Sequence, residues 1–321
     1  VSSQRLTRLR ARCSVDAFWL ALTAGLCALP ILGDLLLSDR RRAFGYVAAD
    51  AFYYLTVARN AVDHGVVSFD QEYGTNGFHP LWQLVGVALF AMARMLGLED
   101  HHVVTLSVVV GALAISAGVV LIGAALRRAY GYVSPLFVIL PVGAYALLIS
   151  PIWWGLGPEG RLRQSLVEGS LPLYGTLWSY ANGMESALVI LMFGVLAYWY
   201  VGKPITTSMR HAALFGVLLA VFAFARLDHA LLSLIVLAVL VGRGLLERER
   251  RRLEPLLAMV AGFVIPLAVY LSYNELTQGG VVPVSGSLKT SLPFVANGNL
   301  KLWELTRDRI DAGKPWLWLV W

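Results

Sequence analysis

Charge is what this sequence has least of. Only 14% of its 321 residues are Asp, Glu, Lys or Arg, against 58% hydrophobic, whereas a soluble domain carries about 25% charged and roughly 45–50% apolar residues. That composition excludes an ordinary water-soluble fold. The stretches 17–33, 103–126, 129–158, 186–202 and 255–274 hold no charged residue at all, and about 20 apolar residues cross a bilayer. Cysteine is equally scarce: Cys13 and Cys27 cannot build a disulfide framework or a Cys-rich metal site. Walker loops, dinucleotide fingerprints, His-Glu-x-x-His and Gly-x-Ser-x-Gly elbows are absent too, so soluble nucleotide chemistry has no support. Neither internal repeats nor low-complexity tracts occur. The net charge of +6 would suggest nucleic-acid binding in a soluble chain. Here the Arg residues cluster beside apolar segments and read as topology signals.

What is present reads as an all-α, polytopic transmembrane bundle, a single membrane domain over 1–321. About eight apolar segments are expected to be helices: 17–37, 81–97, 103–126, 132–152, 184–201, 211–225, 228–241 and 255–275. Arg5, Arg8, Arg10 and Arg12 precede the first as they would in a signal peptide, but no small-residue cleavage pattern follows, so a retained helix is expected. At the other end the apolar run Trp316 to Trp321 is too short to cross, which suggests a truncated sequence.

Residues 38–80 form a long polar connector that should have structure of its own. Phe44, Val47, Ala51, Tyr54, Ala58 and Val62 recur at spacings of three and four, predicting an amphipathic helix flat on the membrane surface. Gly65 should end it. A turn-rich loop (Asp70, Gly74, Asn76, Gly77) then leads to Pro80 and Trp82, the latter expected at the membrane interface.

Arg243, Arg248 and Arg250 to Arg252 put loop 242–254 in the cytoplasm, and Lys203 with Arg210 does the same for 202–210. Residues 211–241 then form a hairpin, with Arg226, Asp228 and His229 at its apex at membrane depth, where charge is tolerated only in a polar cavity. Upstream there is a conflict. With the four amino-terminal Arg inside and 38–80 outside, 81–126 must make one net crossing, yet it contains two apolar segments. Either one of them is re-entrant or strongly tilted, or 38–80 is cytoplasmic.

Five strings could carry chemistry. In Ala49-Asp50-Ala51-Phe52-Tyr53-Tyr54 a carboxylate flanked by rings could serve as a base, although a solvated Asp on the polar face is the simpler account from composition alone. Thr75-Asn76-Gly77-Phe78-His79-Pro80-Leu81-Trp82 is mostly a turn and a helix start, which leaves His79 without a structural duty. Asn182-Gly183-Met184-Glu185-Ser186 opens a helix, where Glu185 either suits the macrodipole or faces a cavity. Arg226-Leu227-Asp228-His229 is either a neutralised pair or an anion site. Pro283-Val284-Ser285-Gly286-Ser287-Leu288-Lys289 offers small residues and a cation, as a phosphate needs, or is an ordinary loop.

In this order the five strings resemble those of bacterial multi-pass glycosyltransferases of the GT-C class, which use polyprenyl-phosphate-linked sugars and include the protein O-mannosyltransferases and the aminoarabinose transferases of lipid A. The matching positions are Asp50 to Leu55, Thr75 to Trp82, Gly183 to Glu185, Arg226 to Asp228 and Pro283 to Lys289. The resemblance implies a GT-C-like fold with residues 38–80 on the external side. It implies Asp50 as general base, and Arg226 and Lys289 as ligands of the donor phosphate. Tyr53, Asn76, His79, Glu185 and Asp228 complete the expected binding set. One departure stands out: the family often has two adjacent acids in its first motif, and Ala49 replaces the first. If that acid is the base, another carboxylate such as Asp70 or Glu185 must serve, or the protein is catalytically impaired.

The expected activity is therefore an inverting, metal-independent and cofactor-free transfer of a hexosyl or pentosyl group. It would run from a polyprenyl phosphate to a glycan, lipid or protein acceptor at the outer face of a bacterial inner membrane, with no nucleic-acid partner. The alternative from another class is a transporter or lipid flippase with a polar midplane cavity; inverted repeats would favour it, and none is visible.

Overall fold

A computed structural model describes residues 3–37, 42–133, 182–202, 208–246, 253–281 and 283. Among these the secondary structure is helical: α1 (Ser3–Leu37), α2 (Ala49–Asp63), α3 (Pro80–Leu96), α4 (Asp100–Tyr130), α5 (Ser186–Gly202), α6 (Met209–Ala225), α7 (His229–Leu246) and α8 (Leu253–Gln278). The one extended pairing among them is an isolated bridge between Ser68 and Gly74. Four helices are long and apolar enough to cross a membrane: Val15–Gly33 within α1, then α4, α7 and α8. Apolar α3, α5 and α6 have 17 residues each, roughly 25 Å at 1.5 Å per residue. From residue 134 onward the expected segment 132–152 lies outside the described residues, and so does the Pro283–Lys289 string from Val284 onward, Lys289 included.

Local signals set most helix ends. Pro80 occupies the first turn of α3, where its missing N–H costs nothing, and Gly97 closes that helix with φ 66°. Ser208 caps α6 by accepting from the His211 N–H at 3.2 Å. The amphipathic helix starts later than its apolar spacing suggests. Arg42–Gly45 is a short 3₁₀ turn and Ala48 is extended, because the Ala48 N–H is drawn to the carbonyl of Asn182 at 2.9 Å. Gly65, with φ 71°, lies just past the end of α2.

Close backbone crossings hold the bundle together. A Cβ on Gly216 would collide with the Met259 carbonyl, and one on Gly262 with that of Ala213, so α6 and α8 touch through their backbones. Gly118 of α4 lies against Ile190 of α5 in the same manner. Small residues at crossings are how helices gain contact area where surrounding lipid is as apolar as the side chains. Ser116 of α4 donates to the Ala24 carbonyl of α1 at 3.0 Å. Phe215, Leu219, Met259 and Phe263 fill the main core.

The connector adds a second, smaller core. Leu55, Ala58, Leu89, Phe90, Ala93, Val103 and Val104 pack together from α2, α3 and the first turns of α4. Contacts occur in parallel order along α2 and α3. Tyr54 meets His79, Ala58 lies against Gly86, and Asp63 takes two bonds from Arg94 at 2.7 Å each. Arg94 also bonds Asp100 at 2.8 Å, which turns the chain into α4. Those bonds hold the Asp63 carboxyl below its ordinary value.

This packing bears on the crossing conflict. Trp82 and Ser107 both lie beside Gly183, while Arg94 and Asp100 lie beyond that level. Helix α3 therefore leads away from the bundle, and α4 alone runs back through it. Twenty residues separate Ser107 from Arg127 along α4, about 30 Å and so the hydrocarbon thickness of a bilayer. At the Arg127 end a second polar belt forms. Arg127 Nε pairs with the buried Asp16 at 3.0 Å, and Arg128 lies over the ring of Tyr198, 3.6 Å from its centroid.

Candidate functional site

Helix ends converge at the other level. The amino ends of α2, α3, α5 and α7 and the carboxyl end of α6 meet there, tied by bonds between residues far apart in sequence. Trp82 Nε1 donates to the Gly183 carbonyl at 2.8 Å, and Trp82 is only 3% exposed. The expected interfacial Trp is thus a buried strut, because its N–H finds a carbonyl instead of the headgroup region. Gly183 has φ 76°, and a Cβ there would press on Ala51, Val47 and the Ser107 hydroxyl at 3.2–3.5 Å. Asn182 Oδ1 accepts from the Met184 N–H at 3.2 Å, which sets the turn that delivers Glu185.

Glu185 is 4% exposed and immediately precedes α5. Its Oε1 lies 3.4 Å from His79 Nε2 and 4.0 Å from Arg226 Nη1. His79 stands at the amino end of α3, and its Nδ1 accepts from the Leu227 N–H at 3.1 Å. The tautomer that satisfies both contacts carries its proton on Nε2, directed at Glu185. His79 thus has the structural duty that its sequence context did not supply. Its partner in the α6–α7 turn is 148 residues away.

That turn presents Arg226 and Asp228. Arg226 Nε donates to both oxygens of Asp228 at 3.1 Å, and His229 Nδ1 lies 3.3 Å from Asp228 Oδ1. Because Nε carries the bonds to Asp228 and Nη1 stands 4.0 Å from Glu185, beyond hydrogen-bond distance, the Nη groups can still donate to a further acceptor. The side chain of Arg226 is 42% exposed and that of Asp228 62%, so the pair is open to an incoming group.

Asp50 is exposed in the first turn of α2. Residues four apart share a helix face, and Tyr54 on that face links Asp50 to the cluster. The His79 N–H donates to Tyr54 Oη at 3.2 Å. Burial pushes the Tyr54 phenol well above its ordinary pKa, and the negative charges of Glu185 and Asp50 raise it further while Arg226 opposes them. Tyr54 therefore stays a neutral hydroxyl within the field of all three charges. From sequence Tyr54 is an apolar-face position and an aromatic flank with no site role, although the Asp50–Tyr54 spacing was the available signal.

The remaining candidates support the loop. Tyr53 shares a 2.5 Å hydrogen bond with the Thr75 hydroxyl and stacks on Phe69, with ring centroids 5.4 Å apart. Asn76 is buried. Buried Asn60 pins the return segment by donating to the carbonyls of Ser68 and Phe69 at 2.9 and 3.0 Å. Asp70 accepts from the Tyr73 and Glu72 N–H groups and the Ser68 hydroxyl, which lowers its pKa and commits it to a turn. Of the two reserve carboxylates, Asp70 is thus structural and Glu185 is in the cluster. Among the described residues no group of three or more His, Cys, Asp or Glu is arranged to hold a metal ion.

No protein-family model, curated protein or solved structure matches the chain. What the fold and site define is an all-helical chain with four helices able to cross a membrane, carrying at one end a cluster of Tyr54, His79, Glu185, Arg226 and Asp228 beside Asp50.

Proposed function

We propose that the protein is a membrane glycosyltransferase that moves a sugar from a polyprenyl phosphate to a hydroxyl or amine acceptor. The observation that carries this reading is the half-exposed guanidinium of Arg226, held by Asp228 beside the buried Glu185–His79 pair at one end of the bundle, with the exposed Asp50 one helical turn from Tyr54 of the same cluster. In the reaction, the acceptor oxygen or nitrogen attacks the anomeric carbon and its proton passes to Asp50. The bond from that carbon to the phosphate oxygen breaks, and the phosphate keeps the electron pair. In-line attack inverts the anomeric centre. A cation facing the phosphate stabilises the charge that develops there, and a carboxylate within reach of the nucleophile takes its proton.

Each member of the cluster has a part. Arg226 receives the phosphate through its Nη donors, with Asp228 holding the guanidinium plane. Buried Glu185 holds His79 and Arg226 in register. The four converging amino-terminal helix ends add positive potential where an anion would sit. Lys289 is expected to join Arg226 on the phosphate. Arg127, Arg128 and Arg210 lie toward the opposite end of the bundle, and the positive-inside rule then supports an external position for the cluster.

The test is Asp50→Asn, assayed for transfer from a labelled polyprenyl-phosphate sugar in proteoliposomes. Loss of transfer by two to four orders of magnitude is expected, roughly what a general base contributes. Undiminished transfer overturns the assignment of the base. Donor crossing the bilayer with no transfer by the wild type overturns the reaction and favours a flippase.

A further inference from the structure

We infer that His79 is a positioning residue whose neutral imidazole clasps the turn that carries Arg226, so that anion binding at Arg226 weakens when His79 takes up a proton. The inference rests on the transferase reading above. Helix α6 ends at Ala225 and Arg226 is extended, with φ −155° and ψ 119°, so the Leu227 N–H has left the helical bonding pattern. The carbonyls of Arg226 and Leu227 accept from the His229 and Ala230 N–H groups at 2.9 and 3.1 Å, contacts made within the turn and the start of α7. The Leu227 N–H instead points away from the turn, to His79 Nδ1 at 3.1 Å. That N–H belongs to the peptide group joining Arg226 to Leu227. One imidazole nitrogen at the amino end of α3 therefore fixes the backbone from which the guanidinium projects.

Nδ1 accepts that bond only while it carries no proton. A second proton on the ring turns Nδ1 into a donor and sets N–H against N–H. The other side of the ring behaves differently. Nε2 lies 3.4 Å from Glu185 Oε1 and carries a proton in both states, and a carboxylate holds an imidazolium at least as well as a neutral ring. Protonation therefore keeps the amino end of α3 against Glu185 and frees the α6–α7 turn alone. The His79 side chain is 24% exposed, so water can deliver the proton. The titratable and charged groups around it come from four elements. Glu185 precedes α5; Tyr54 of α2 stacks at 6.5 Å, with Asp50 one turn before it; Arg226 and Asp228 lie in the turn; His229 starts α7. Arg226 opposes a second positive charge and the carboxylates favour it. Imidazoles ordinarily titrate at about 6.5, so the test separates His79 from His229.

The full chain in detergent is compared at about pH 8 and about pH 5, on either side of the imidazole range. The probes are polyprenyl-phosphate mannose, glucose and arabinose, phosphodiesters whose single charge is the same at both. Wild-type affinity for the best of them, read from thermal shifts over a concentration series, should fall about tenfold at the lower pH. His79→Asn puts an amide oxygen near the place of Nδ1 and takes up no proton. It should bind more weakly than wild type at the higher pH, yet nearly equally at both, whereas His229→Gln should keep the wild-type ratio. Hydrogen exchange across 226–228, corrected for its intrinsic pH dependence, follows the clasp with no ligand and needs no variant. Protection should drop at the lower pH in the wild type and stay constant in His79→Asn. Wild-type protection that does not change overturns the inference, as does a pH ratio that His79→Asn leaves intact. Protection lost at the lower pH, with none of the three lipids bound at the higher, overturns the transferase reading and leaves the clasp standing.

Discussion

Replacing His79 with Phe removes two contacts that hold the hub together. The Leu227 N–H loses the Nδ1 acceptor at 3.1 Å, and the Glu185 carboxylate, whose side chain is 5% exposed, loses the Nε2 donor at 3.4 Å. Stripping a largely buried polar group of its partner costs about 1–3 kcal/mol; taking the lower half for each, the total is about 3 kcal/mol. At roughly 2–4 °C per kcal/mol, the value for larger domains, the unfolding midpoint in detergent should fall by roughly 6–12 °C. Amide variants divide the effect. His79→Asn leaves an oxygen near the place of Nδ1 and should retain the bond from Leu227 while losing Glu185, so it should recover about half of the loss. Differential scanning fluorimetry at neutral pH reads all three proteins. A Phe variant within about 2 °C of wild type, or an Asn variant no better than Phe, refutes the assignment of both contacts.

Gly183→Ala should be costly for a different reason: a side chain at φ 76° is strained, by about 1–2 kcal/mol, and the shift needed to relieve it pulls the carbonyl from Trp82. Loss of binding to a polyprenyl phosphate alongside a lowered midpoint checks that. The Asp63–Arg94 pair gives a pH dependence. Its carboxyl is held below the ordinary 3.8, so the contribution is complete above about pH 4 and is lost as the pH falls through the lowered folded value. Asp63→Asn should therefore be less stable than wild type at pH 7, by about 1 kcal/mol, with the difference shrinking as the pH falls through the folded-state value of the carboxyl. At the opposite end, Arg127→Met leaves Asp16, 4% exposed, without its guanidinium. The expected cost is about 3 kcal/mol, read as a lower midpoint, and Asp16→Asn in the same chain should restore part of it.

Among the described residues, the sequence by itself determined which segments are helical and where most of them stop. Apolar runs, Pro80, Gly65, Gly97 and the Arg226–Asp228 interruption are local signals, and helix formation depends on contacts three and four residues away. Local periodicity also exposed α2, though not its first turn, because the Ala48 N–H answers to Asn182, which lies far along the chain. Tertiary structure alone decided that α3 runs parallel to α2 and leads out of the bundle, since an apolar helix of 17 residues looks the same whether it crosses or docks. It also decided the hub. Trp82 reaches Gly183 across 101 residues and His79 reaches Leu227 across 148, and no periodicity encodes a partner at that distance.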